Sequence, residues 1–403
     1  MFITKKKILL TCLLLVLVCA TTTAYAQKGL KQSRADQILQ LATAKLQAIH
    51  TVHYKLIRES LYKDENYHAI YSSDIYIDFT SKKNTAGYRF QAEDKDYQSC
   101  YNGVQYFGLN KNKKTIDITQ KPKAEQFESM SPLYFSLVSL RTILPILQKN
   151  DSVEVVMKDT VIGKEDYYSF SFDLYNQYFG GLGKLYQLTS DYTGDRTKPY
   201  VLIIHKKTLL PYKFISKWKD RTEDFISVTY DAINLKPSAP VELSWFYSTY
   251  TNEYAPPQPK DPLVNVGTVL EDWVLPWYNA GKIDSSSLYQ YRGKIVLLDF
   301  WIKSCGPCMA SFPHLNELQQ KFNSNEFQLL SINTEDEQED IVFFFNKHKP
   351  IYKMLFKGEN LASAYGIPAF PTIILLDKLG KVIYASKNGF DQPVIEKLIK
   401  ENL

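Results

Sequence analysis

The sequence predicts two domains of different class: an N-terminal α+β domain built on a large antiparallel sheet, and a C-terminal α/β domain. Three observations predict this. Between Val52 and Tyr250, short alternating runs rich in Tyr, Ile, Val and Phe recur, interrupted by a stretch of helical spacing. From about residue 263, apolar strand-like runs alternate with helical ones, as a doubly wound sheet requires. Between the two patterns, Pro256, Pro257, Pro259 and Pro262 fall within one short stretch that neither a helix nor a central strand tolerates. The expected boundaries are 1–26 for a leader, 27–250 for a β-rich domain with two helices, 251–262 for a semi-rigid Pro-rich linker, and 263–403 for the second domain.

Lys5-Lys6-Lys7, the apolar run Ile8 to Ala20 and Ala24-Tyr25-Ala26 read as the n-region, h-region and cleavage site of a secretory signal peptide, cut after Ala26. The run is shorter than the roughly 20 residues that span a bilayer. Lipidation at Cys19 is the competing reading, but Val16-Leu17-Val18 places valine where a small residue is expected. Loss of the three lysines takes the formal charge from +5 to +2, which leaves no argument for nucleic acid. The mature protein is expected in the periplasm or secreted.

Cys100, Cys305 and Cys308 remain after cleavage. A structural disulfide framework would use a larger, even set, and a zinc site would need a second pair or histidines at ligand spacing. One vicinal pair and one odd cysteine fit a catalytic dithiol, with no metal and no cofactor.

In chain order, Ser33 is the expected N-cap of a helix whose stripe is Ile38, Leu41, Ala42, Leu46 and Ile49. Strands are expected over 52–62, 71–80, 87–93, 96–101, 104–110 and 114–119, with Asn102-Gly103 turning a hairpin. Leu133, Leu137, Leu140, Ile143, Leu144 and Leu147 mark a second helix. Strands resume over 152–157, 167–174, 200–205, 212–219, 225–233 and 242–250. His50, His53, His68 and His205 are scattered without a nucleophile, and the many tyrosines suit half-buried strand faces or a lipid or carbohydrate platform. Cys100 reads as a buried small hydrophobe, with a regulatory thiol as the other reading.

In the second domain Ile295–Trp301 reads as a buried strand, and Phe312, Leu315, Leu318 and Phe322 as the inner face of a helix. Cys305-Gly306-Pro307-Cys308 therefore sits where a strand ends and a helix begins. Unpaired N–H groups and the positive end of the helix dipole stabilise a thiolate there. Cys305 is thus the expected nucleophile, and Cys308, one turn on, the resolving thiol. Asp299, inside the apolar strand, should have a raised pKa. It reads either as a proton relay or as a structural acid. A strand over 327–333, helices over 336–348 and 360–365, a hairpin over 372–386 and a helix over 391–401 complete the domain.

The run Asp299 to Cys308 closely resembles a thioredoxin active site, and Gly366-Ile367-Pro368-Ala369-Phe370-Pro371-Thr372 resembles the loop that carries that family's cis-proline. Gly267-Thr268, Trp273-Val274-Leu275 and Tyr291-Arg292-Gly293-Lys294 point to the TlpA/ResA-like envelope branch. The resemblance covers roughly residues 263–403. It implies a thioredoxin fold, a redox disulfide Cys305–Cys308, Asp299 as proton relay to Cys308, and a reducing function associated with Gly306-Pro307. It also implies Trp301 packed under the site, substrate contacts from Trp301, Gly306, Pro307, Phe370 and Pro371, and a substrate chain lying along Phe370 and a cis Pro371. Envelope relatives often carry a glutamate where this chain has Ser311. Ser304 replaces a second tryptophan, and Lys303 adds a positive charge that could assist the thiolate. Leu298 and Ile302 do not fit the pattern of the peroxidases that share the fold.

Residues 30–250, with the phrase Val201 to Lys213, resemble the LolA-like half-barrel of envelope lipoprotein-handling proteins. That resemblance implies a concave face holding acyl chains or a protein partner, against the alternative of a packed domain without a cavity. Together these readings give an envelope thiol–disulfide oxidoreductase acting on protein thiols and disulfides, fed by a membrane electron donor. The alternative is a lipid- or protein-binding module whose dithiol serves one client or is idle.

Overall fold

The computed structural model describes residues 33–80, 86–150, 152–189, 194–257, 262–303, 305–322, 325–387 and 389–403. The leader expected over 1–26, residues 258–261 of the linker and Ser304 lie outside them. The chain divides into two compact units, one made of residues up to Leu61 with Ala69–Pro256, the other of Tyr62–His68 with Pro257–Leu403.

The first unit is an eleven-stranded antiparallel sheet with two helices. Its strands are β1 (Thr51–Tyr62), β2 (Tyr67–Asp78), β3 (Arg89–Glu93), β4 (Tyr97–Tyr101), β5 (Gln105–Asn110), β6 (Thr115–Gln120), β7 (Val156–Ile162) and β8 (Glu165–Tyr175). A small separate hairpin, β9 (Gln177–Phe179) and β10 (Leu185–Gln187), precedes β11 (Thr197–His205), β12 (Pro211–Lys217) and β13 (Phe225–Asn234). The order is β6-β5-β4-β3-β2-β1-β13-β12-β11-β8-β7, so the first and last long strands meet in the middle. Helices α1 (Arg34–Gln47) and α2 (Leu137–Lys149) cover one face. Leu39, Ala42, Leu140, Ile143 and Leu144 pack there over Val52, Tyr54, Leu202 and Phe214.

Local chemistry explains both helices. Ser33 caps α1 reciprocally with Asp36, each accepting the other's backbone N–H at 3.1 Å. Pro145 cannot donate to the carbonyl of Arg141 inside α2, and the Gln47 side chain donates to it at 2.8 Å instead. Arg141 in turn donates to the carbonyls of Leu46 and Ile49 at the end of α1. The Asn102-Gly103 hairpin joins β4 to β5. Asn102 Oδ1 accepts from Val104 and Gln105, and Gly103 takes the left-handed backbone (φ 99°) that favours glycine.

Three expectations need correction. Residues 242–250 are not a strand but two short 3₁₀ turns, Glu242–Trp245 and Tyr247–Thr249. They lay Trp245 on the second face of the sheet, against Tyr76, Cys100, Phe107, Leu109 and Ile116. Both faces are buried at this end, so aromatic spacing there reports packing rather than a strand. The strand expected over 152–157 lies at Val156–Ile162, and Tyr254 and Ala255, expected in the linker, close the sheet beside β6.

The second unit carries a seven-stranded sheet, described by itself. Its strands are β14 (Val274–Asn279), β15 (Lys282–Ser287), β16 (Ile295–Trp301), β17 (Phe327–Asn333), β18 (Lys353–Leu355), β19 (Thr372–Leu376) and β20 (Val382–Ser386). In the order β15-β14-β18-β17-β16-β19-β20, β16, β17 and β18 run parallel and β19 and β20 close antiparallel. Helices α3 (Gly306–Lys321), α4 (Gln338–His348) and α6 (Gln392–Asn402) supply the core on one face; α5 (Glu359–Ala364) contributes to the other. Every residue of β16 is buried, as an apolar run interrupted only by Asp299 leads one to expect. The β14–β15 hairpin was not foreseen: β15 is mostly exposed and polar, and only the positive φ of Ala280 and Gly281 marks its two-residue turn.

Candidate active site

Cys305 and Cys308 form a disulfide, with Cα atoms 5.2 Å apart. Cys305 is the N-cap of α3 in extended conformation, and its Sγ accepts the backbone N–H of Cys308 at 3.1 Å. Pro307 lies in the first turn, where its missing N–H costs nothing. Gly306 and Pro307 are exposed, Cys305 keeps 8% of its surface and Cys308 keeps none. Of the two cysteines only Cys305 keeps any exposed surface.

Asp299 sits in the middle of β16, on the face that carries Leu297, Trp301 and both cysteines. Its Oδ2 accepts from Ser331 Oγ at 2.9 Å; Oδ1 is buried and makes no hydrogen bond among the described residues. Burial pushes the carboxyl up to about 7, against the opposing pull of the Ser331 hydroxyl. Trp301, grouped by resemblance with the substrate-contacting residues, is wholly buried. Its ring packs edge-on to Phe312 and Phe344 with centroids 5.1 and 5.4 Å away, so it supports α3 from below and touches no docked chain. His348 packs against the same two rings, and burial holds its imidazole down at about 4.

The peptide bond between Phe370 and Pro371 is cis. Phe370 is half-buried and packs against the cluster that contains both cysteines; Pro371 is buried. Lys303 departs from expectation. Its Nζ pairs with the buried Asp340 at 2.6 Å, so its charge is committed to α4 rather than available to a thiolate. Ser311, at the place of the relatives' glutamate, donates its hydroxyl to the carbonyl of Cys308 at 2.8 Å and offers no acid.

The sequence reading missed a polar clasp beneath this loop. Asp336 Oδ2 accepts from the Lys303 backbone N–H and the Asn333 side chain, both at 2.6 Å, while Asn333 Oδ1 accepts from the Asp336 backbone N–H. It ties the chain just before the cysteines to the end of β17. Asn333-Thr334-Glu335-Asp336 directly after an apolar run was the available signal for a turn, but nothing in it named Lys303 as partner. Ser331 and Tyr352 were also missed.

Residues 293–382 match the family model described as Thioredoxin-like. The chain is similar to thiol-disulfide oxidoreductase ResA of Halalkalibacterium halodurans, 24% identical over 163 residues, 40% of this chain and 89% of that protein. It is likewise similar to thiol-disulfide oxidoreductase ResA of Geobacillus thermodenitrificans, 28% identical over 137 residues, 34% of this chain and 75% of that one. Among solved structures, the thioredoxin domain of a thiol-disulfide oxidoreductase from Bacteroides vulgatus is 25% identical and covers 34% of this chain and 99% of its own. The TM-score of 0.31 for that pair is too low to argue from. The C-terminal region of this chain is a thioredoxin-like domain, related to the ResA thiol-disulfide oxidoreductases.

Proposed function

We propose that the protein is a thiol–disulfide oxidoreductase of the bacterial envelope and works as a reductase of protein disulfides. The observation that carries this is Cys305 at the N-cap of α3, bonded through sulfur to the N–H of Cys308 and to its side chain in a disulfide. In the reduced protein that same N–H and the helix dipole favour the Cys305 thiolate. The thiolate attacks one sulfur of a substrate disulfide; a mixed disulfide forms and the other substrate sulfur leaves as thiolate. Cys308 then attacks Cys305 Sγ, closing the Cys305–Cys308 disulfide and releasing the second substrate thiol. Two electrons pass to the substrate, and a membrane dithiol donor would return them. Asp299 takes the proton from Cys308 as it attacks, a role suited to a carboxyl that titrates near neutrality. The half-buried Phe370 and the cis Pro371 would flank the substrate chain.

Trapping tests this reading. Cys308→Ser cannot resolve, so mixed disulfides with client proteins should accumulate in cells and vanish on adding reductant; their absence at normal expression would sink it.

One observation in the N-terminal unit favours a second reading, a binding module. A cavity of about 220 Å³ opens on the sheet face opposite the helices, lined by His53, Asp74, Gln91, Glu93 and Gln98 among others. This polar lining suits a peptide or small polar solute better than an acyl chain, whereas the LolA-like resemblance implies lipid. Mass spectrometry of the full chain purified without detergent separates them: bound lipid supports the half-barrel reading, and a bound polar ligand supports the cavity.

A further inference from the structure

Asp299 lies on a register that crosses three strands: it pairs with Ser331 of β17, and Ser331 pairs with Met354 of β18. Ser331 has no exposed surface, and its Oγ spends its proton on Asp299 Oδ2 at 2.9 Å. The other carboxyl oxygen, Oδ1, is equally buried and makes no hydrogen bond among the described residues. A buried acid held by one oxygen only is unusual, because an unpartnered buried acceptor is costly. Building on the oxidoreductase reading, we propose that Ser331 is a positioning residue, whose hydroxyl pins Oδ2 and leaves Oδ1 as the oxygen through which Asp299 gains and loses its proton.

The surroundings leave Ser331 little competition for this role. Tyr352 precedes Met354 by two residues and so shares its face; its hydroxyl is buried without a hydrogen bond, and its phenol is held neutral by burial and by Asp299. Cys305 and Cys308 of α3 belong to the same buried cluster. β19 brings Ile373 alongside, α6 brings Ile395 and Ile399, and α4 brings Ile341 and Phe344, none of them titratable. His348 at the end of α4 stacks on Phe344. Ser331 is thus the group that donates to the ionised carboxylate against the cost of burial. Loss of one neutral hydrogen bond to that form should raise the titration midpoint by about one pH unit.

The test is a carboxyl titration of the oxidised full chain, followed by carbon-13 NMR of labelled aspartate, alongside the pH profile of disulfide exchange. Ser331→Ala should move the Asp299 midpoint up by about one pH unit, and Ser331→Thr, which keeps the hydroxyl, should leave it with the wild type. Should the alanine variant not fold, Ser331→Cys, a weaker donor of similar size, should shift the midpoint in the same direction. An unmoved midpoint in the folded variant overturns the proposal. The relay reading fails separately: if Asp299→Asn exchanges with the wild-type pH profile, Asp299 carries no proton for Cys308, whatever Ser331 does to its midpoint.

Discussion

In the N-terminal unit three buried tyrosines are tied to the main chain, whereas three buried polar atoms of the C-terminal unit have no hydrogen-bond partner among the described residues. Tyr230 Oη donates to the carbonyl of Phe135 at 2.6 Å, and Tyr54 and Tyr200 accept the N–H groups of Leu137 and Phe179 at 3.2 and 2.9 Å. Asp299 Oδ1, Trp301 Nε1 and Tyr352 Oη are as deeply buried and make no hydrogen bond. The cysteines divide in the same way. Cys100 lies wholly buried among Tyr76, Phe107 and Trp245, and burial drives its thiol far above the usual range; Cys305 caps a helix beside exposed residues. Leaving a buried polar atom unpaired costs about 1–3 kcal/mol, so a fold retains such atoms where they serve chemistry rather than cohesion. The three tyrosines are satisfied by the main chain, and the three atoms around Asp299 are not.

The largest expected contrast is between cysteines. Cys305→Ser should abolish reduction of a protein disulfide, measured by insulin precipitation under thiol, while Cys100→Ala should leave the rate unchanged. A rate loss with Cys100→Ala would erase the distinction.

Two fully buried tryptophans sharpen it. Trp245→Ala and Trp301→Ala should each cost about 3–5 kcal/mol in urea unfolding. Only the second should also slow exchange, since only Trp301 packs under α3.

The buried acid gives a pH signature. Its folded pKa, about 7, is raised above that of the unfolded chain, so between about pH 4 and 7 the folded state holds a proton that the unfolded state has lost. Stability of the oxidised chain should therefore fall as pH rises through that window, by roughly 4 kcal/mol at most, and level off above it. Asp299→Asn should remove that slope; an unchanged slope in denaturant melts from pH 4 to 8 would place the titration elsewhere.

The smallest effects compare hydroxyls. Tyr230→Phe strands the buried carbonyl of Phe135 and should cost about 1–2 kcal/mol, whereas Tyr352→Phe breaks no hydrogen bond and should cost about 0.5 kcal/mol or less. Equal losses in urea melts would contradict the contrast between the units.

Much of this was legible in the sequence because it is local. The run Ile295–Trp301, apolar but for Asp299, reads as a central strand, and Cys-Gly-Pro-Cys, separated from it by three residues, marks the helix start. Ser33 and Asn102-Gly103 carried their own capping and turn chemistry. What stayed hidden is tertiary. Residues 242–250 space their aromatics as a strand does, yet Trp245 answers to the second face of a sheet formed far earlier in the chain. Ser331 meets Asp299 across 32 residues, and Asp340 meets Lys303 across 37. No spacing rule reaches those pairs. The reading of Lys303 as a free charge failed for that reason.

A redox titration of the full chain against thiol buffers, read by alkylation and intact mass, decides whether Cys305 and Cys308 form a reductase. A reductase should show a midpoint near the thioredoxin end, about −270 mV. A midpoint between about −180 and −120 mV, where isomerases and oxidants lie, would contradict it.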